Sequence, residues 1–187
     1  MNFATAIKIL TEQEFTDQFV RKASEFHKIE GIPKWAETQA LLNAVDENLT
    51  NATSTKDVQY GMLYLVKDTS VLPNATVGAR VTLTASPGGT APVWVQGVTE
   101  RVYKNAYNDW SRDSAYYANE TNMAAACKKF LLSKLPEECL LVLKHSKTGY
   151  RQVRLETMYN LIRTKYQPNE KDRDDLKEKI WEPWAYQ

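Results

Sequence analysis

The sequence predicts a mainly α fold, a multi-helix domain with a short β-hairpin or extended-loop insertion around residues 58–97. Three observations carry that expectation. Apolar residues recur at helical spacing through the second half, from Thr99 to Ile180. Thr11-Glu12-Gln13-Glu14 is a capping box just ahead of an apolar-periodic run. Between 58 and 97, β-branched and aromatic residues mixed with Pro and Gly interrupt the helical period. At 187 residues, 43% hydrophobic and 25% charged, the chain suits one sizeable domain or two small ones.

Residues 1–10 read as an extended arm whose Ile7, Ile9 and Leu10 can dock on the body or on a neighbour. The capping box starts a first helix, with Phe15, Phe19, Ala23 and Phe26 on one face and Gly31 as the stop. Pro33 suits the first turn of a second helix, which runs through Trp35, Leu41, Leu42 and Val45 to the Asn/Thr cluster at 48–55.

Val58 to Val66 has the composition of a strand around Gly61. Beyond it, Val81-Thr82-Leu83-Thr84, Ser86-Pro87-Gly88-Gly89 and Val93-Trp94-Val95 suit a loop or short hairpin. From Val98 a helix with Val102, Ala106, Tyr107, Trp110 and Tyr117 runs to Asn119, and a further helix covers Met123 to Leu135. Pro136 opens a short helix, Glu137 to Lys144, and Gly149 breaks the chain. Val153 to Tyr166 then presents Leu155, Met158, Tyr159, Ile162 and Tyr166 on one face. After Pro168 comes a charged helix, Asp172 to Ile180, and a tail at 181–187 containing Trp181-Glu182-Pro183-Trp184. Residues 11–180 read as one domain, with 11–97 and 98–180 as its two stretches.

The charge balance is 24 Lys and Arg against 23 Asp and Glu, a net +1. That is not the basic excess of a dedicated nucleic-acid binder. Two cysteines, Cys127 and Cys139, make no disulfide framework and no zinc pattern. His27 and His145 read as surface residues of helices. Glu137-Glu138 and Asp172 to Asp175 read as acidic first turns favoured by the helix dipole rather than as catalytic carboxylates. Ser86-Pro87-Gly88-Gly89-Thr90 lacks the Gly-Lys-Ser/Thr ending of a phosphate loop. No catalytic constellation, metal site, cofactor or small-molecule substrate is therefore expected. Neither a signal-peptide core nor an apolar run of membrane-spanning length occurs in the sequence, so the expected location is cytoplasmic with no membrane partner. Four Asn-X-Thr sequons, at Asn48, Asn51, Asn74 and Asn119, reflect an Asn- and Thr-rich composition on this reading.

Two groups of residues remain as candidate binding surfaces. Lys128, Lys129, Lys144, Lys147, Arg151 and Arg154 cluster in sequence around Gly149 and could touch phosphate. Trp94, Trp181 and Trp184 lie where periodicity is weak, and aromatics outside a core pattern suit interface anchors. With Ile7 and Ile9 they are the expected assembly contacts.

The order of several pieces resembles a known family. Gln59-Tyr60-Gly61-Met62-Leu63-Tyr64-Leu65-Val66 before a Pro- and Thr-rich loop is followed by Tyr107-Asn108-Asp109-Trp110 on a long helix. An Ala-to-Leu-Leu helix, Ala124 to Leu132, then precedes a Pro-capped short helix. Gly149-Tyr150, Val153, Met158, Leu161, Tyr166, Asp175-Leu176 and Trp181-Glu182-Pro183-Trp184 complete the series. Across residues 30–184 it is similar to the Gag proteins of copia-type LTR retrotransposons, in the branch common in diatoms and other algae. The resemblance implies a capsid-like, all-α assembly domain without enzymatic activity, a homo-oligomer within a virus-like particle. The Cys-x2-Cys-x4-His-x4-Cys knuckle that many such proteins use for RNA does not occur in this chain. RNA is thus expected only as a weak partner, through the basic cluster.

Overall fold

A computed structural model of the protein describes residues 7–23, 26–54, 56–75 and 77–167, with the backbone alone for 19–23. Among the described residues the fold is mainly helical. Four α-helices appear, α1 (Glu12–Ala23), α2 (Trp35–Asn51), α3 (Glu100–Lys134) and α4 (Leu155–Lys165). Short 3-10 turns at Leu63–Leu65, Thr69–Val71, Glu137–Cys139 and Leu141–Leu143 join them. The expected helix at 172–180 and the tail at 181–187 lie outside the described residues, as do residues 1–6 of the arm.

The capping box forms as read. The Thr11 and Glu14 side chains each accept from the other's backbone N–H, at 3.1 and 2.8 Å. α1 ends at Ala23, short of the expected stop at Gly31. Residues 26–30 are instead drawn to the far end of α3. Ile29 N–H donates to the Lys134 carbonyl at 2.8 Å, which satisfies one of the orphan acceptors of a helix C-terminus. Phe26 meets Phe130 edge-on at 6.0 Å.

Of the hairpin or extended loop expected within 58–97, the hairpin is not formed: no strand occurs among the described residues, and the segment is loop with short 3-10 turns. Met62 to Val66 is a continuous buried run, without the alternation of a half-buried strand. Gly61 turns the chain back onto the end of α2 with φ of +56°. A Cβ there would fall 2.4 Å from the carbonyl oxygens of Thr50 and Ala52. Met62 N–H can thereby reach the Leu49 carbonyl at 2.8 Å. Burial against α2 thus overrides the β-propensity of this segment. Further on, side chains rather than a partner strand satisfy the extended backbone. Lys56 Nζ donates to the Thr82 carbonyl at 2.9 Å, and Thr84 N–H donates to Glu120 Oε2 at 2.7 Å.

The two helices expected at 98–119 and 123–135 are one, α3, of 35 residues and about 50 Å at 1.5 Å per residue. The polar run Asn119-Glu120-Thr121-Asn122 has the composition of a break, but its side chains find partners outside the helix. Asn119 pairs like a strand with the arm, accepting from Leu10 N–H at 2.7 Å and donating to the Lys8 carbonyl at 2.9 Å. Asn122 adds a bond to the Leu10 carbonyl at 2.8 Å. Similarly, the helix expected from Glu137 to Lys144 is two 3-10 turns.

One hydrophobic core joins all four helices. α2 contributes Leu41, Leu42, Val45 and Leu49, and α1 contributes Phe15. α3 contributes Met123, Ala126, Cys127, Phe130 and Leu131. α4 contributes Leu155, Met158, Tyr159 and Ile162, four of the five residues read as its inner face. The share from α3 comes entirely from its C-terminal part, with none from 100–114.

Candidate functional site

Val93, Trp94 and Val95 are three consecutive exposed apolar residues just ahead of α3. Val93 is 82% exposed, Trp94 58% and Val95 55%. Val98 N–H donates to the Val95 carbonyl at 3.2 Å, a turn that feeds directly into α3. From Glu100 to Ser114 no α3 residue is buried. This stretch runs for about 20 Å as a rod on which Tyr103, Trp110 and Ser114 are half-exposed, with Trp110 Nε1 and Ser114 Oγ closed off from solvent. Tyr103, Tyr107 and Trp110 stand in a row on it, with successive ring centres 6.2 and 6.1 Å apart.

All but one of the rod's six charges, Arg101, are paired along its own surface in the ion pairs that follow. Lys104 meets Glu100 at 2.6 Å, and Arg112 meets Asp109 and Asp113, each at 3.0 Å. Such exposed pairs add little stability. Their consequence is that the aromatic row lies in a locally neutral field.

The other expected assembly residues are scattered. Ile9 is 52% exposed. Ile7 is half-buried and lines a cavity of about 480 Å³ with Leu10, Phe15, Ser54, Tyr64 and Asn119. Trp181 and Trp184 lie outside the described residues.

The basic cluster does not form one surface. Lys128 is half-buried and donates to the carbonyls of Arg151 and Val153, at 3.3 and 3.1 Å. Burial pulls its ammonium below the ordinary lysine value. Lys144 is paired with Glu137, and Lys129 lies 4.0 Å from Glu12 on another side of α3. Lys147, Arg151 and Arg154 are exposed. The turn between them is closed by mutual backbone bonds of His145 and Gly149 at 3.0 and 2.9 Å. His145 Nδ1 further accepts from the N–H groups of Lys147 and Thr148.

Sequence reasoning missed the most polar part of the interior. Glu120 is 5% exposed and accepts from Lys56 Nζ at 2.6 Å, from the Tyr64 hydroxyl at 3.0 Å and from Thr84. Lys56 Nζ also lies 5.6 and 5.5 Å from the ring centres of Tyr64 and Tyr116. Burial and the Glu120 charge push the Tyr64 phenol well up, so it remains a donor. This carboxylate is fully engaged in holding segment 82–84 against α3, and every bond it makes is internal. Lysine at 56 and glutamate at 120 are 64 positions apart, and no local pattern links them.

Cys127 and Cys139 are free and buried, and burial pushes the Cys127 thiol up, away from reactivity. Among the described residues no group of three His, Cys, Asp or Glu is placed to hold a metal ion. No described helix is long and apolar enough to cross a membrane. Two sequons are part of the packed fold, since Asn48 and Asn119 are 7% and 6% exposed.

No family model, curated protein or solved structure matches this chain. The likeness to copia-type Gag proteins therefore has only the residues quoted for it as support.

Proposed function

We propose that this chain is a non-enzymatic structural protein that self-assembles into a capsid-like shell or filament of a retroelement or virus. The observation that carries the reading is the exposure of Val93, Trp94 and Val95 at 82%, 58% and 55%. They stand next to the first turns of α3, which contribute no residue to the core. Contiguous exposed apolar surface of this kind marks contact with another macromolecule. Repeated contact between unlike patches of identical chains closes into rings and shells or runs on as filaments. The order of pieces shared with copia-type Gag proteins points the same way.

Light scattering and negative-stain microscopy of the purified chain test this reading. Particles or filaments should appear as concentration rises, and Trp94→Ser should raise the concentration at which they form. A wild-type chain that stays a monodisperse monomer at high concentration removes the proposal.

A second reading is a nucleic-acid-associated module. It rests on exposed Lys147, Arg151 and Arg154 around one turn. With about three phosphate contacts, single-stranded RNA affinity should fall with a log–log salt slope near −2. Absence of binding at low salt excludes it.

A further inference from the structure

The C-terminal part of α3, the start of α4 and the extended segment at 83–84 enclose a groove of about 200 Å³. Buried Leu65 and Leu155, with half-buried Ala124 and Val153, give it apolar walls. Leu83 and Tyr117 also line it and keep much of their surface in water. Removing such surface from water favours an apolar occupant.

The charges that line the groove do not cancel. Glu156 is paired with Arg80 at 2.9 Å and Glu120 with Lys56 at 2.6 Å. Lys128 and Arg154 remain, and among the described residues neither has a carboxylate at ion-pair distance. Lys128 is the better placed of the two, because it is half-buried whereas Arg154 is exposed. Its ammonium is anchored at the α4 end of the groove on the carbonyls of Arg151 and Val153. Those bonds use two of its three N–H donors. Glu12, the one carboxylate whose field raises its affinity for a proton, sits against Lys129 instead. A cation drawn partly out of water without an anion beside it favours an arriving anion.

We propose that this groove binds a small-molecule carboxylate whose apolar body is about the size of one ring, with its carboxylate on Lys128. Size and charge carry the inference together. A cavity of about 150 Å³ holds one benzene ring, so this groove has room for a ring and a short acidic arm but not for several residues of a peptide. The apolar walls give the ring its place, and the third Lys128 donor gives the carboxylate its orientation. Arg154 adds positive field from the solvent side, where screening weakens it. A ligand of about ten non-hydrogen atoms should bind with a Kd of roughly 0.1–1 mM. The site goes beyond the assembly reading and does not depend on it, since a chain that stays monomeric keeps the same groove.

Saturation-transfer NMR of the full chain with phenylacetate tests the site, and it reads assembled and monomeric protein alike. Phenylacetate should bind saturably, and phenylacetamide, of the same shape without the charge, at least about tenfold more weakly. Lys128→Met should bring the two ligands close to parity, and Arg154→Ala should narrow the difference by less. Leu83→Glu sets a carboxylate at the groove from an exposed position and should repel phenylacetate while sparing phenylacetamide. Lys129→Met, next along α3 but outside the groove, should change neither. Melting curves show whether each variant is folded, and the comparison of the two ligands on wild type and Leu83→Glu decides the matter even if Lys128→Met does not fold.

Absence of saturable phenylacetate binding up to tenfold above that range overturns the proposal. Equal binding of phenylacetate and phenylacetamide by wild type leaves an apolar groove without an anion site and overturns it too. Inorganic phosphate that displaces phenylacetate at equal concentration assigns the binding to basic residues alone. Phenylacetate binding unchanged by both Lys128→Met and Leu83→Glu places the ligand elsewhere. Either result removes the groove as a carboxylate site.

Discussion

The two halves of α3 are equally helical and differ in nearly everything else. Residues 115–131 carry eight buried side chains, among them Met123, Cys127 and Leu131 at 0% exposure. Residues 100–114 carry none. Both halves are periodic and both contain large apolar residues. Helical periodicity therefore identifies a helix without saying which side will be covered, or by what. The discriminating quantity is phase. The apolar series of the C-terminal half and the aromatic series of the N-terminal half lie on opposite sides of one cylinder.

The largest expected effect breaks the comparison if it is wrong. Leu131→Ala removes a fully buried side chain and leaves a cavity, which costs about 4 kcal/mol. For a chain of this size that is a fall of roughly 10 °C in Tm. Tyr107→Ala, 42% exposed, should change stability by no more than about 0.5 kcal/mol at monomer concentrations. Thermal melts of the two variants in dilute solution decide it. Equal losses would mean that the rod is packed within its own chain and has no free face.

A somewhat smaller effect is expected where the buried half begins. Lys56→Met strands the Glu120 carboxylate, 5% exposed, without its cation. Removing one partner of a buried pair costs about 3 kcal/mol, of which the Tyr64 and Thr84 bonds recover a part. Replacing both residues, Lys56→Met with Glu120→Leu, should be less harmful than Lys56→Met alone. Urea unfolding of these two variants and of Glu120→Leu alone completes a double-mutant cycle. Simple additivity would show that the pair is not coupled and that 82–84 is held to α3 by something else.

What the sequence made legible was local. The capping box at Thr11 and the inner face of α4 are patterns spanning a few residues, and both form as read. The absence of a strand at 58–66 was not legible, because Val58 to Val66 has β-propensity while its burial is decided by α2, folded back through Gly61. The continuity of α3 was hidden for the same reason. Asn119, Glu120 and Asn122 look like helix-breaking polar residues until Leu10 and Lys56 arrive to use them. Around Gly149, six basic residues close in sequence proved to have different surroundings, because Glu137 takes Lys144 and backbone carbonyls take Lys128. The aromatic row on α3 was visible as helical. Only its phase against Met123, Ala126 and Phe130 tells that it turns away from the core.

The smallest effect concerns α1, the helix packed most extensively on the buried half of α3. Glu14 accepts from the Thr11 backbone and hydroxyl, which hold its carboxyl below the ordinary value of 4.5. A carboxyl whose folded pKa is depressed stabilises above its unfolded pKa and loses that contribution as pH falls through the folded one. The cap should therefore be intact at neutral pH and weaken only below about pH 4.5. Thr11→Ala removes the acceptor of the Glu14 N–H and should cost about 1 kcal/mol at pH 7. Because Thr11→Ala also deletes the hydroxyl bond, the smaller of the two Thr11 bonds that depress Glu14, the variant should lose somewhat less further stability between pH 5 and pH 3 than wild type does. Hydrogen exchange of α1 amides at the two pH values reads this directly. Protection of the α3 rod should not change with it, since Glu100 to Ser114 bury nothing against α1. If exchange in the rod follows the cap, the two halves of α3 are coupled, and the exposed half is held in place by the buried one rather than merely continuing from it.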